Sequence, residues 1–216
     1  WPITEYAIEP AFETLAALQF EGKIRHIGLS NFGVEQLRQA VATGVNIATN
    51  QVYYNLLSRA IEFDILPECR RLGIGVVAYM PLQQGLLTGK YHSLDELPPM
   101  RTRTRHFRGD RPLSRHGGPG AEEQVMMALE ELRTIVQETG LSMTHLALAW
   151  VVHQPGVACA LTGIRRRAQL DEAIAGVSVQ LSPSLLERLD RFTTPLKEQL
   201  GPGADYFQAL EDSRIR

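Results

Sequence analysis

Apolar residues recur along this chain at two spacings, and the two take turns. Across Pro10 to Glu21, Ala11, Phe12, Leu15 and Leu18 fall on one helical face, with Pro10 where a first turn tolerates it. Gly22 ends that run, and Ile24 to Leu29 reads as a short strand carrying Ile24 and Ile27. The helical period returns over Val34 to Thr43 and stops at Gly44. Ile47 to Tyr53 is the next strand, Arg59 to Leu72 a helix closed by Gly73, and Val76 to Tyr79 a third strand. Pro67 inside that helix predicts a new first turn or a bend. Ala121 to Thr139 and Thr144 to His153 read as two further helices, Val157 to Thr162 as the fourth strand, and Ala168 to Ala175 as the helix after it. Strand and helix thus alternate, and the strands lack the strict in-and-out alternation of a half-wet sheet. The pattern predicts an α/β fold with parallel strands covered by helices, either a barrel or a doubly wound sheet. No glycine-rich dinucleotide fingerprint follows any strand, which favours the barrel.

Two stretches break the rhythm. Residues 92–120 have little periodicity and carry Arg101, Arg103, Arg105, Arg108, Arg111 and Arg115, with Asp110 the one acid among them. A connection this long in a compact domain is functional or mobile, here a lid over an anionic ligand or a plain solvated loop. Only Phe107 interleaves with these arginines, too little for a nucleic-acid strip. The residues after Thr194 read as a poorly patterned appendage. The expected division is therefore a barrel portion over 1–195, with the arginine-rich loop 92–120 inside it, and a tail over 196–216.

Composition narrows the picture without changing it. With 216 residues, 44% hydrophobic and 21% charged, the chain is long enough for one domain with its own core. A net charge of −2 gives no reason to expect nucleic acid or a membrane surface as partner. No apolar run reaches the ~18 to 20 residues that cross a bilayer, and the start "WPITEYAIEP" lacks the features of a signal peptide, so the expected location is cytoplasmic. The chain begins on Trp1 rather than Met, which suggests residues upstream. Cys69 and Cys159 are expected to be buried free thiols. The six histidines show no metal-ligand spacing, so no metal is expected; His26 reads as a core or wall residue, and His145 and His153 as surface groups.

In a barrel of this kind chemistry sits at the carboxyl ends of the strands. Those ends carry Ser30 and Asn31, then Gln51 within "NQVYYN", then Tyr79 before "MPLQQGLLTGKY", then Gly163 and Arg165 in "LTGIRRRAQLDEA". A Ser or Asn after a strand can also simply cap the next helix. Converging carboxamides and hydroxyls are harder to leave unpaired, because a buried unsatisfied polar group costs roughly 1 to 3 kcal/mol. A planar amide such as nicotinamide would satisfy Ser30, Asn31 and Gln51, and Tyr79 could stack on its ring. "MPLQQGLLTGK" fails as a P-loop: three residues rather than four separate Gly85 from Gly89, and Tyr91 stands where Ser or Thr would hold magnesium. Its backbone around Leu82 to Gly85, with Lys90 nearby, could still cradle a pyrophosphate, or be an ordinary turn. Arg165, Arg166 and Arg167 at a helix start suit a phosphate monoester or solvent, and Gln169 and Glu172 on the first turns lie in reach of an adenine edge.

With these residues in view the chain resembles the aldo-keto reductase family. "GKIRHIGLSNF", "NQVYYNLLSR", "LGIGVVAYMPLQQGLLTGKY", "LALAWVV" and "ALTGIRRRAQLDEA" are similar, in order, to its fifth, sixth and seventh strands, penultimate helix and eighth strand, over roughly residues 1 to 193. The resemblance implies the C-terminal half of an eight-stranded (β/α) TIM barrel that binds NADP(H) and reduces aldehydes or ketones by hydride transfer. It implies that Ser30, Asn31 and Gln51 hold the nicotinamide carboxamide and that Tyr79 stacks on the ring. Met80, Pro81, Leu82, Gln83 and Gly85 would line the pyrophosphate with Lys90, and Gly163, Arg165, Gln169 and Glu172 would hold the 2′-phosphate end. Met80 stands where the family has Ser, and Ala173 where it has Asn. The family's catalytic histidine precedes the position of Trp1, and its Tyr, Lys and Asp lie earlier still, so no catalytic residue is expected here and the chain alone should be inactive. Two other readings differ in class: a non-catalytic NADP(H)-binding subunit of the potassium-channel β type, and a phosphosugar barrel enzyme gripping phosphate with Arg165.

Overall fold

The computed structural model describes residues 1–2 and 7–216. Its elements follow in the order α1 (Glu9–Phe20), β1 (Ile27–Ser30), α2 (Val34–Ala42), β2 (Ile47–Tyr53), α3 (Ile65–Leu72), β3 (Gly75–Tyr79), α4 (Glu122–Thr139), α5 (Met143–His153), β4 (Val157–Leu161), α6 (Arg167–Ser178) and α7 (Pro183–Leu200). The four strands form one parallel sheet in the order β1-β2-β3-β4. This is the parallel α/β arrangement that the alternating pattern predicts, four strands of a partial barrel.

The strands bury one face. Ile27, Leu29, Asn50, Val52, Val76 and Ala78 are covered, while Gly28, Ser30, Thr49, Gln51 and Val77 on the other face stay partly or fully exposed. Each buried Val or Leu contributes roughly 1.5 to 3 kcal/mol against leaving it in water, so the pleat decides which face the helices cover. Behind the covered face sits α5, apolar all round and buried from Met143 to Val151 apart from His145. Only a helix enclosed on every side tolerates that pattern. Ser142 starts it, accepting the His145 N–H at 3.1 Å. Among the described residues β1 and β4 are each paired on one side only. Leu161 at the β4 end and Leu170, Ile174 and Val177 on α6 stay exposed.

Several sequence expectations need correction. The third helix is not continuous from Arg59: a single 3-10 turn at Ala60–Glu62 precedes α3, whose first turn contains Pro67, where a missing N–H costs nothing. The strand expected from Ile24 begins only at Ile27, and His26 lies outside it and is exposed. Cys69 is buried, with burial pushing its thiol up to about 11, but Cys159 is exposed on β4. His145 and His153 are half-buried rather than free surface groups.

The largest correction concerns the C-terminal part. The pattern reading missed α7 altogether, and position 195 lies inside it. Residues 201–216 are no appendage: Ala204, Asp205 and Tyr206 are buried, and Tyr206 gives its hydroxyl oxygen to the Ala60 N–H at 2.8 Å. The last residue caps α2, whose Glu35 and Gln36 N–H groups donate to the Arg216 carbonyl at 3.1 and 3.3 Å. A β-carbon on Gly33 would overlap the Arg216 backbone, which explains glycine at that position.

Candidate functional site

The parallel register brings the strand ends into line. Ser30 pairs with Gln51, Tyr53 with Tyr79, and Tyr79 with Leu161, so all four carboxyl ends share one rim. On that rim Asn31 takes a left-handed backbone (φ 59°), a conformation Asn accepts more readily than most residues. Its N–H donates to the Gln51 carbonyl at 2.8 Å, its Nδ2 to Ser30 Oγ at 3.0 Å, and its Oδ1 accepts from the Tyr79 hydroxyl at 2.9 Å. Ser30, Asn31, Gln51 and Tyr79 therefore form one connected cluster. Among the described residues the Gln51 carboxamide has no hydrogen-bond partner inside the protein. Burial, then the nearby Asp205 charge, holds the Tyr79 hydroxyl protonated well above its ordinary range.

Behind the cluster lies a second layer that the sequence reading left without roles. Asn50, buried in the middle of β2, accepts the Phe32 N–H at 3.3 Å and donates to the Phe32 carbonyl at 2.9 Å, pinning the turn after Asn31. Tyr53 stacks on Tyr79 with centroids 5.2 Å apart. The turn after β3 is held the same way. Gln83 Oε1 accepts from the Tyr53 hydroxyl at 2.9 Å, Asn55 Nδ2 at 2.8 Å and Ser58 Oγ at 3.0 Å, while Asn55 Nδ2 also donates to the Met80 carbonyl at 2.9 Å. His106 continues this network from the arginine-rich loop. Its Nε2 donates to the Leu57 carbonyl at 2.9 Å and lies 3.0 Å from Ser58 Oγ, and its Nδ1 accepts from Thr104 Oγ1 at 3.0 Å. Burial drives the His106 pKa down to about 3, so the ring is neutral. A polar residue in a buried strand must find a partner, and Asn50 was the one signal that could have exposed this layer from sequence.

The turn from Met80 to Gly85 is tightly wound. Met80, Gln83 and Gln84 all take positive φ, as does Gly85 at 96°. Such conformations cost non-glycine residues of order 1 to 3 kcal/mol each and persist only where surroundings enforce them, here the Gln83 network. The Gln83 and Gly85 N–H groups are spent within the turn, on the Met80 and Leu82 carbonyls at 2.9 and 2.8 Å. Two cations stand over it: a β-carbon on Gly85 would come 3.2 Å from Arg101 Nη1 and 3.5 Å from Lys90 Cε. Buried Gln83 Nε2 and Gln84 Nε2 have no partner among the described residues. The two cations suit an acceptor-rich anionic group.

At the end of β4 the arrangement is open. Gly163, Arg165, Arg166 and Arg167 are exposed, and Gln169 is committed to the α6 start, its Oε1 accepting from the Arg165 and Arg166 N–H groups at 2.9 and 3.2 Å. Glu172 accepts from Ser142 Oγ at 2.6 Å and lies 3.5 Å from His145 Nε2, tying α6 to the start of α5. The described residues contain no group of three or more His, Cys, Asp or Glu placed for a metal, and no described helix is long and apolar enough to cross a membrane.

Comparison with known proteins agrees with this architecture. The aldo/keto reductase family model matches residues 1–193, and the chain belongs to that family. Among solved structures, the glycerol dehydrogenase AKR11B4 from Gluconobacter oxydans is 29% identical with a TM-score of 0.75, over 90% of this chain and 57% of its own. The thermostable aldo-keto reductase Tm1743, solved with the inhibitor epalrestat, shares the fold at 24% identity and a TM-score of 0.66, over 89% of this chain and 57% of its own. The chain thus spans little more than half the length of either.

Proposed function

We propose that this protein binds NADP(H) along the rim and serves the reduction of aldehydes or ketones to alcohols. The observation that carries the reading is the Ser30, Asn31, Gln51 and Tyr79 cluster at the strand ends, which Gln51 joins through its main-chain carbonyl while its carboxamide has no hydrogen-bond partner among the described residues. Ser30, Asn31 and Gln51 would hold the nicotinamide carboxamide, with one face of Tyr79 against the ring and Tyr53 on the other. Met80, Pro81, Leu82, Gln83 and Gly85 would shape the pyrophosphate turn, and Lys90, with Arg101 beside it, would supply its positive charge. Because the Gln83 side chain and two turn N–H groups are committed internally, their part is to fix the turn rather than to touch the phosphates. Gly163 and Arg165 would meet the 2′-phosphate, with Gln169 and Glu172 setting the α6 start beneath the adenosine end. When bound, the cofactor supplies the hydride; what these residues do is orient it and fix its charged groups.

The family's proton-donating Tyr and its Lys, His and Asp partners have no counterpart among these 216 residues, so the proposal assigns no turnover to them alone. The deciding experiment is a fluorescence titration with NADPH and NADH. Saturable binding with NADPH tighter by about tenfold, and loss of that preference in Arg165→Ala, is the expected result. Absence of saturable binding by either nucleotide would sink the reading, and equal affinity for both would remove the NADP(H) part of it.

A further inference from the structure

The segment beyond α7 lies outside the residues that the family model matches, yet it meets the nicotinamide cluster proposed above from two sides. On one side it holds the turn after Asn31. Gln36, only 9% exposed, divides its carboxamide between that turn and the segment: Oε1 accepts the Gly33 N–H at 2.9 Å and the Arg216 N–H at 3.1 Å, and Nε2 donates to the Arg214 carbonyl at 2.9 Å. Asn50 holds Phe32 from within the sheet, so the chain from Asn31 to Gly33 is fixed between β2 and the C-terminal residues.

On the other side the same segment braces the aromatic stack. Tyr206 and Phe207 pack on Tyr53 with ring centroids 5.1 and 6.0 Å away, and Tyr53 stacks in turn on Tyr79. One ion pair ties the two footholds together. Asp205, beside Tyr206 in the chain and fully buried at its side chain, accepts from Nε of Arg214 at 3.0 Å, and Arg214 carries the carbonyl that Gln36 holds. A carboxylate buried to that degree depends on its partner, because removing the cation leaves an uncompensated charge inside the fold. By contrast, no hydrogen bond or ion pair among the described residues links this segment to Arg165, Gln169 or Glu172 at the open end of the rim.

We propose that Asp205 and Arg214 are positioning residues for the nicotinamide end of the site: their ion pair closes residues 204–216 into a strap that sets the Asn31 turn and the Tyr53–Tyr79 stack. The consequence for binding rests on the rim being the NADP(H) site. With the strap closed, Asn31 and Tyr79 are held in place and the nicotinamide meets an ordered surface; with it open, that ordering cost falls on the ligand. The adenosine end, which shares no partner with the strap, keeps its own affinity.

The test titrates the full chain calorimetrically with NADPH and with 2′,5′-adenosine diphosphate, which carries the phosphorylated adenosine end without the nicotinamide. Asp205→Asn and Arg214→Ala should each weaken NADPH by about tenfold and leave the adenosine ligand unchanged, and the double variant should lose no more than either alone. Equal losses for both ligands, as from a general loosening of the fold, overturn the proposal, and so does an unchanged NADPH affinity. A second readout needs no cofactor. Hydrogen exchange at the Asn31 amide, which donates to the Gln51 carbonyl, should accelerate in both variants relative to the Val76 amide, which donates to Gly156. If Arg214→Ala does not fold, Asp205→Asn carries the test, since it keeps the side-chain shape and an acceptor for the Phe207 N–H. If the unaltered chain gives no saturable signal with either ligand, the cofactor reading falls and exchange alone decides the strap: faster exchange at Asn31 upholds it, and unchanged exchange overturns it.

Discussion

The two ends of the rim are built by different physics. At the β1 to β3 end, Asn31 is almost fully buried and held by neighbours on three strands, and behind it Gln83 and His106 close a polar network with no water access. At the β4 end, Arg165 to Arg167 are exposed, and Gln169 satisfies only its own helix start. The first end is held by buried hydrogen bonds from several strands; the second presents exposed guanidinium groups on a locally capped helix start. Preorganisation lowers the ordering cost of binding, so the buried end is suited to fixing orientation and the open end to adding affinity through charge.

That contrast can be broken in four ways. The largest effect is on pH dependence. His106 is neutral in the fold down to about pH 3, whereas an unfolded histidine titrates near 6.5, so between those values the unfolded chain binds the extra proton. Stability therefore falls as pH drops from about 6.5 toward 3, by on the order of 4 kcal/mol from this ring, and His106→Gln should flatten that slope in denaturant unfolding measured across the range. A slope unchanged in His106→Gln would show that the ring is not held neutral. Next, Gln83→Ala strips the acceptor from three buried donors and should cost about 3 kcal/mol, read as a lower urea midpoint at unchanged m. Tyr79→Phe keeps the ring and removes its bond to Asn31. About 1 kcal/mol of stability should go, together with weaker nicotinamide binding, whereas a fully retained affinity would deny that the cluster is preset. Smallest of all, Gln169→Ala at the open end should cost at most about 1 kcal/mol and leave the Asn31 amide signal in NMR spectra unmoved, since it shares no partner with the buried network.

Much of the fold was legible beforehand. Ile47–Tyr53 emerges with the bounds read from its pattern, and β3, α4 and α5 differ by one residue at the start, because a period sustained over several apolar positions leaves few alternatives. α7 was invisible for the opposite reason: Pro183 and Pro195 and a charged face disguise a helix whose buried residues, Leu189, Thr193, Leu196 and Leu200, show their purpose only against α4 and Arg59. The rim residues could be named from their places at strand ends, but not the layer that holds them. Tyr53, Asn55, Ser58 and His106 lie up to 53 positions apart in sequence, and nothing local marks them as partners.

What the amino-acid order determined on its own was the succession of strands and helices and the polar residues at each strand's carboxyl end, since hydrophobic period and turn chemistry act over a few neighbours. Tertiary structure decided which of those polar groups are buried and already satisfied, and that the C-terminal segment is part of the core. Burial and hydrogen-bond partnership arise between segments far apart in the chain, and only the packed molecule brings those segments together.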